Sequence, residues 1–304
     1  IMHIFSIGEC MVELSSSKDG KYNLDFAGDT ANTAVYLSRL GAKTSYITSV
    51  GKDSLSKKMI KYLNKEKILT NNISINATKT IGLYLIENDK KGEREFSYWR
   101  SDSAAKTLFD NIDITKFSKK FNKCDAIYFS GITLSIYKTK NLNKFYSLLK
   151  ILKKNNVKIY IDFNIRLKNW LNTNLANKII KKFSLLCDII FISNEDLTSL
   201  KIQNLKDFVT QYSLNALVVY RHGNGMIKIY KNKEFFQYNI KFEKKVLDAT
   251  GCGDAFNASF LFNYMKSNKI SDCIESAHKL GKKVAFTKGA IINKEKFVSK
   301  NYAI

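Results

Sequence analysis

The chain has 304 residues, 45% of them hydrophobic, and a formal net charge of +23. That is long enough for one large α/β domain or two small ones and too apolar for a disordered chain. Five scattered cysteines with no CxxC pair, and only His3, His222 and His278, argue against a disulfide framework and a zinc site and for reduced thiols.

Short apolar, β-rich runs follow one another along the chain at Ile4–Ile7, Ser45–Val50, Ala126–Phe129, Val157–Ile161, Ile189–Ile192 and Ala216–Tyr220. Helical patterns lie between them, for example Ala31–Leu40, Leu142–Leu152 and Asn174–Phe183. Such alternation predicts an α/β fold with a mostly parallel sheet covered on both faces. Two stretches, residues 11–26 and 78–100, read as β without helices between. In the second, Ile81–Ile86 is a strand, residues 87–93 a turn holding Asp89 and Gly92, and Glu95–Arg100 the return strand. Phe96, Tyr98 and Arg100 then share one face at period two. These stretches predict a small β-sheet lid that could exclude water.

Polar and small residues follow each predicted strand: Gly8-Glu9, Ser130-Gly131, Asp162 with Asn164 and Arg166, Ser193-Asn194-Glu195, and Arg221-His222-Gly223. Ligands bind at the carboxyl edge of open α/β sheets, so clusters in register there predict a site. Near the C-terminal end, Asp248-Ala249-Thr250-Gly251-Cys252-Gly253-Asp254 leads into a helical run. A Gly-rich loop opening a helix points bare N–H groups and the dipole's positive end at one spot, which suits an anion. Asp254 beside it could take a proton from a hydroxyl, the combination that hydroxyl-to-phosphate transfer needs. A plain Gly turn with a helix-start acid is the alternative.

Gly28-Asp29-Thr30-Ala31-Asn32 opens the first helix, with Asp29 or Thr30 as its natural N-cap. Asp29 and Asn32, three apart, share a face and could grip two hydroxyls. Arginine occurs only at positions 39, 94, 100, 166 and 221, so an arginine beside a strand end suggests a specific anionic group; an ion pair at the surface is the alternative. Tyr84 and Tyr98 could pack on a sugar face or only on each other. His222 reads as a loop residue and Cys252 as a small filler of the Gly turn. No P-loop, protein-kinase HRD or DFG set, or GxGxxG loop occurs.

Together these segments resemble the ribokinase-like, or PfkB, sugar kinases. The run Asp248–Asp254 is similar to that family's D-T-x-[GA]-A-G-D, and Gly28-Asp29 with Asn32 resembles its G-G-D-x-x-N. Within the family the resemblance is nearest the branch acting on 2-dehydro-3-deoxygluconate (KDG), a sugar acid. It rests on Ile7–Ser15, Gly82–Ile86, Gly92-Glu93-Arg94, Tyr98-Trp99-Arg100, Ser130-Gly131-Ile132, Asp162–Arg166 with Trp170, and Gly289–Ile292, and it runs from Ile4 to about Phe297.

The resemblance implies a ribokinase-like three-layer α/β/α sandwich, one domain over residues 1–304 with the β lid, and Mg-ATP-dependent phosphorylation of the sugar 6-hydroxyl. It makes Asp254 the base and has Gly251, Cys252 and Gly253 offer N–H groups to the phosphoryl. Gly28, Asp29 and Asn32 would hold hydroxyls, and Tyr84, Tyr98, Arg100 and Arg166 would contact the substrate, an arginine facing its carboxylate. Asn194, Arg221, Gly223, Gly251 and Gly253 would meet ATP. Apart from the resemblance, Asn194-Glu195-Asp196 follows a strand and could hold Mg2+ through water, with Glu195 the candidate, or be only a polar loop. It also implies a homo-oligomer and a cytoplasmic enzyme of hexuronate or Entner–Doudoroff catabolism. The chain departs from the pattern at Ala27, Phe163 and Cys252, in the missing N-x-x-E spacing after Asn194, and at Tyr220–Gly223.

Three other readings compete. A relative could act on fructose, ribose or a nucleoside, or could bind without catalysis. The net charge alone speaks for nucleic acid, but it is mostly lysine spread along a proline-free chain rich in Asn and Ile, which points to an AT-rich coding background. No signal peptide and no membrane partner are expected: the start lacks a basic region before an apolar run, and Leu185–Ile192 is interrupted by Asp188.

Overall fold

Alternation along the short strands decides how the main sheet is covered. A computed structural model describes residues 2–17, 20–88, 94–241 and 246–304. Its strands are β1 (His3–Ile7), β2 (Met11–Ser16), β3 (Tyr22–Ala27), β4 (Lys43–Ile47), β5 (Ser49–Val50), β6 (Ser74–Ile75), β7 (Leu83–Asn88), β8 (Arg94–Trp99), β9 (Ala126–Ser130), β10 (Lys158–Asp162), β11 (Ile189–Ser193), β12 (Leu217–His222), β13 (Met226–Lys231) and β14 (Glu234–Asn239). Its helices are α1 (Asp29–Leu40), α2 (Ser54–Lys65), α3 (Ile114–Ser118), α4 (Gly131–Ser135), α5 (Thr139–Lys154), α6 (Thr173–Ser184), α7 (Asn194–Ser199), α8 (Leu205–Tyr212), α9 (Cys252–Met265) and α10 (Ile270–Ala285).

The main sheet has the order β14-β13-β12-β11-β10-β9-β1-β4. The six strands from β12 to β4 are parallel, and β13 and β14 add an antiparallel edge. Neighbouring side chains point to opposite faces. Phe5, Ile127, Phe129, Ile161 and Ile190 pack with α5, α6 and α8 on one side. Ile4, Tyr128, Tyr160, Phe191 and Val219 pack with α1, α9 and α10 on the other. The result is the expected α/β/α sandwich. Helix α9 lies between α1 and α10 and is apolar nearly all round, as a helix buried on every side must be.

The second sheet, β3-β2-β7-β8, comes from the two helix-free stretches, with β2 parallel to β7 and antiparallel pairs outside. The expected turn at Asp89 and Gly92-Glu93 lies outside the described residues.

Several sequence expectations need correction. Helix α1 begins at Asp29 rather than Ala31, and its cap is Gly28 without a side-chain bond. The Asp29 carboxylate instead accepts its neighbour Thr30's N–H at 2.8 Å with one oxygen, and its other oxygen accepts the Asn164 amide. The run Ser45–Val50 splits, because β5 leaves the main sheet to pair with β6. The β13–β14 hairpin was not anticipated; its solvent-facing Phe235 and Phe236 hide the polar alternation that marks an edge strand. His222 is the last residue of β12 rather than a loop residue.

Candidate active site

The carboxyl ends of β1, β10, β11 and β12, the starts of α1 and α9, and one face of the second sheet enclose a cavity of about 610 Å³. That is within the range of small-ligand sites. Of the residues singled out in the sequence, Gly28, Asp29, Asn32, Tyr84, Tyr98, Arg100, Arg166, Glu195, Arg221, Gly251, Gly253 and Asp254 all line it. Cys252 and Gly223 line a second, largely apolar cavity of about 400 Å³ behind the start of α9. Asn194 lines neither; its Oδ1 accepts the Tyr220 hydroxyl at 3.0 Å.

The start of α9 is shaped by Gly251. Its φ of +75° is the left-handed region, and a Cβ there would stand 2.7 Å from the Ala290 carbonyl oxygen. The Asp248 carboxylate ties the loop by accepting the N–H groups of Thr250 at 2.9 Å and Gly289 at 2.7 Å. Gly253 and Asp254 have backbone N–H groups with no acceptor among the described residues, while the Ala255 N–H already bonds to the Gly251 carbonyl at 2.9 Å. Cys252, expected to offer its N–H as well, donates it to the Ala249 carbonyl at 3.3 Å, because the turn closes on itself there. Bare donors at a helix start make an anion seat.

Asp254 sits in the first turn of α9 with 8% exposure, and one of its oxygens accepts the Asn32 amide at 2.9 Å. Burial holds its proton affinity well above the ordinary carboxylate range; Asp29 and Asp162 add to this, and the Asn32 bond and Arg221 oppose it. A carboxylate so placed is a stronger base than one in water. Asp29, across the cavity floor, is held by the Asn164 amide at 2.8 Å.

Asp162 ends β10 and was not singled out as a site residue. One of its oxygens accepts the Asn257 amide at 2.9 Å, and that amide also reaches the Tyr128 hydroxyl at 3.1 Å. The other oxygen has no hydrogen-bond partner and lies 3.6 Å from an Arg221 nitrogen. Burial pushes the Asp162 carboxyl up to about 7, against the pull of Arg221. Glu9, Asp162 and Asn164 belong to the polar clusters expected at the strand ends, and they line the cavity, though none had been given a role of its own. Asn257 was missed; the usable signal was a polar residue amid the apolar run of α9.

The two arginines separate. Arg100 pairs with Glu9, which is 4% exposed, so the alternative of an ion pair holds for Arg100 but in a buried setting. The other Glu9 oxygen has no partner. Arg166 has no carboxylate partner among the described residues and donates only to the Ile165 carbonyl at 3.3 Å. On the second sheet Tyr84 and Tyr98 stack at 5.8 Å, and the Tyr84 hydroxyl is taken by Glu13. Tyr98 is 41% exposed and its ring carries the Lys168 ammonium at 4.5 Å. All five cysteines are free thiols, Cys252 being pushed up to about 12 by burial and its acidic neighbours, so it is no nucleophile at neutral pH.

Residues 2–296 match pfkB family carbohydrate kinase. The chain belongs to the pfkB family. It is 32% identical over 301 residues to the 2-dehydro-3-deoxygluconokinase of Haemophilus influenzae, covering 95% of both chains. Among solved structures it superposes on a 2-dehydro-3-deoxygluconokinase of Thermotoga maritima with a TM-score of 0.82 at 18% identity, covering 99% of this chain and 98% of that one. It also superposes on a putative ribokinase II of E. coli in complex with ATP and Mg2+, with a TM-score of 0.82 at 20% identity, covering 95% and 94%. At those identities the structures speak for the fold, which is that of the pfkB kinases. No helix among the described residues is long and apolar enough to cross a membrane.

Proposed function

We propose that this pfkB kinase transfers the γ-phosphoryl of ATP to the 6-hydroxyl of 2-dehydro-3-deoxy-D-gluconate. The observation that carries the reading is the free Arg166 guanidinium in the same cavity as the buried base Asp254 and the bare N–H groups of α9. A neutral sugar gives that guanidinium only uncharged oxygens; a sugar acid gives it a carboxylate, which its planar fork matches. The name of the Haemophilus relative agrees.

The sugar acid lies over the floor, its hydroxyls on Asp29 and Asn32, its apolar face against Tyr84 and Tyr98, its carboxylate on Arg166. ATP places its base in the apolar second cavity, among Ile227, Val246, Phe256 and Ala285, with its phosphates toward Gly251 and Gly253. Asp254 takes the proton of the 6-hydroxyl as that oxygen attacks phosphorus. The bond from phosphorus to the β–γ bridging oxygen breaks and ADP leaves with the electron pair. Stabilisation comes mostly from position and charge, since phosphoryl transfer asks for little covalent help.

Among the described residues no three acids, histidines or cysteines could cage a metal ion. That fits a magnesium ion carried mainly by phosphate oxygens, which needs only one or two carboxylates from the protein. Glu195 at the cavity wall would hold it through water, and when bound it neutralises charge on the phosphates.

The test is ADP release with Mg-ATP and KDG, beside fructose, ribose and gluconate, for the wild type and Asp254→Asn. Turnover on KDG that falls by about 10²–10⁴-fold in the variant, with KDG still bound, is the expected result. Preference for a neutral sugar would reject the substrate, and near-normal turnover in the variant would reject the base.

A further inference from the structure

The wall between the two cavities is thin. Arg221, Ala249 and Gly253 are the described residues common to both linings, and Arg221 is the one cation among them. A phosphoryl group passing from a nucleotide in the second cavity to a hydroxyl beside Asp254 has to cross this wall.

The Arg221 side chain is held there from several sides. Its position in β12 is fixed by parallel pairing with Ser193 of β11. Its guanidinium carbon stands 5.3 Å over the Phe256 ring. One terminal nitrogen donates to the Gly253 carbonyl at 3.2 Å, and Gly253 has no side chain to displace it: a Cβ there would come within 2.9 Å of that nitrogen. The other terminal nitrogen lies 3.6 Å from the Asp162 oxygen that lacks a hydrogen-bond partner. Asp162 is in turn tied through Asn257 to Tyr128. Yet the Arg221 Nε is buried with no hydrogen-bond partner, only one terminal nitrogen has a hydrogen-bond acceptor among the described residues, and the residue lines both cavities. A planar cation fixed in place before the reaction, with donors in hand, suits the equatorial oxygens of a phosphoryl in flight.

We propose that Arg221 is a catalytic residue that contacts the transferring phosphoryl group in the transition state, and that Asp162 is its positioning residue. The proposal rests on the kinase reading of the same site. In the step itself the Asp254 carboxylate gains the hydroxyl proton, the new phosphorus–oxygen bond forms at the sugar, and ADP carries off the bonding pair. Arg221 exchanges no proton. It is closest to the charge when that charge is spread over the three equatorial oxygens.

The experiment measures kcat and both KM values with Mg-ATP and KDG for the wild type, Arg221→Ala, Arg221→Lys, Asp162→Asn and the Arg221→Ala/Asp162→Asn double variant, each checked for folding by circular dichroism. Wild-type turnover comes first. Its absence would overturn the kinase reading and this proposal with it; once it is present, the other arms test Arg221 alone. Arg221→Ala is expected to lose about 10²–10³-fold in kcat with KM for ATP changed by less than about fivefold. Added guanidinium ion should restore part of that loss and leave the wild type unchanged. Arg221→Lys keeps the charge without the fork and should still lose about tenfold or more; it decides the matter if Arg221→Ala does not fold. Asp162→Asn should lose about tenfold alone and add nothing in the double variant, because it acts through Arg221. A rise in KM for ATP with kcat intact would reduce Arg221 to a nucleotide anchor and overturn the proposal. Additive losses in the double variant would remove the positioning role from Asp162.

Discussion

The floor of the cavity and the sheet that covers it are built on opposite plans. On the floor, Asp29, Asn32, Asp162, Asn164 and Asp254 are held by one another or by neighbouring amides, and most are buried. On the covering sheet, Phe96, Tyr98 and Trp99 stand in the open. Polar groups locked before a ligand arrives can act on the transition state without reorganising; open aromatic faces give contact to any stage of the reaction alike. Damage to the floor should therefore appear in kcat, and damage at the cover or rim in KM.

The sharpest way to break this contrast is at Gly251. Alanine there meets both a left-handed backbone and the Ala290 carbonyl, so the loop must move and carry the bare N–H groups of Gly253 and Asp254 with it. Gly251→Ala is expected to cut kcat by about 10²-fold or more while KM for the sugar acid shifts little. A melt by circular dichroism alongside the kinetics separates this from unfolding. A folded variant with unchanged kcat would mean that the floor is not the preorganised half.

The arginines sharpen the comparison by a smaller effect. Arg166→Met at the rim should raise KM for the sugar acid by about 10–100-fold, the worth of a lost charged hydrogen bond, with kcat within about threefold. Arg100→Met should act differently, because it strands the buried Glu9 carboxylate. Its expected signature is a loss of roughly 3–5 kcal/mol of stability in a denaturant melt, ahead of any effect on binding. Equal KM effects with equal stability would show that the two guanidiniums share one task.

Much of this was legible in the sequence, for reasons that can be named. Strand periodicity, the glycines around Cys252 and the polar residues after each strand depend on local chemistry, and they located α9, the sheet and most of the cavity wall. The pairing of Glu9 with Arg100 was not legible, since 91 positions separate the partners and nothing local marks either as buried. The same holds for Asn257, which reaches Asp162 across 95 positions. Cys252 misled for a local reason: whether a particular N–H faces outward or closes its own turn depends on a few degrees of backbone that the residue type does not encode. His222 misled because a Gly follows it at once, although β12 runs on to pair with β13.

The smallest expected effect concerns what the floor costs the fold. Asp162 in the folded chain holds its proton up to about 7, whereas an unfolded chain releases it near the ordinary 3.8. The folded state therefore binds the proton more tightly. Stability from this group is fully present below about pH 4 and is lost as pH rises through about 7. Asp254 and Asp196 are shifted in the same direction and remain in any Asp162 variant, so the useful quantity is a difference between two proteins. Asp162→Asn should melt close to the wild type near pH 4 and a few degrees above it at about pH 8, where the wild type must keep a charge out of water. If the gap stays constant across that range, Asp162 is ionised throughout, and Arg221, 3.6 Å away, is a stronger partner than its geometry indicates. If the gap opens with pH while Asp162→Asn loses activity, the floor is a place where stability has been given up to hold a carboxylate beside a guanidinium.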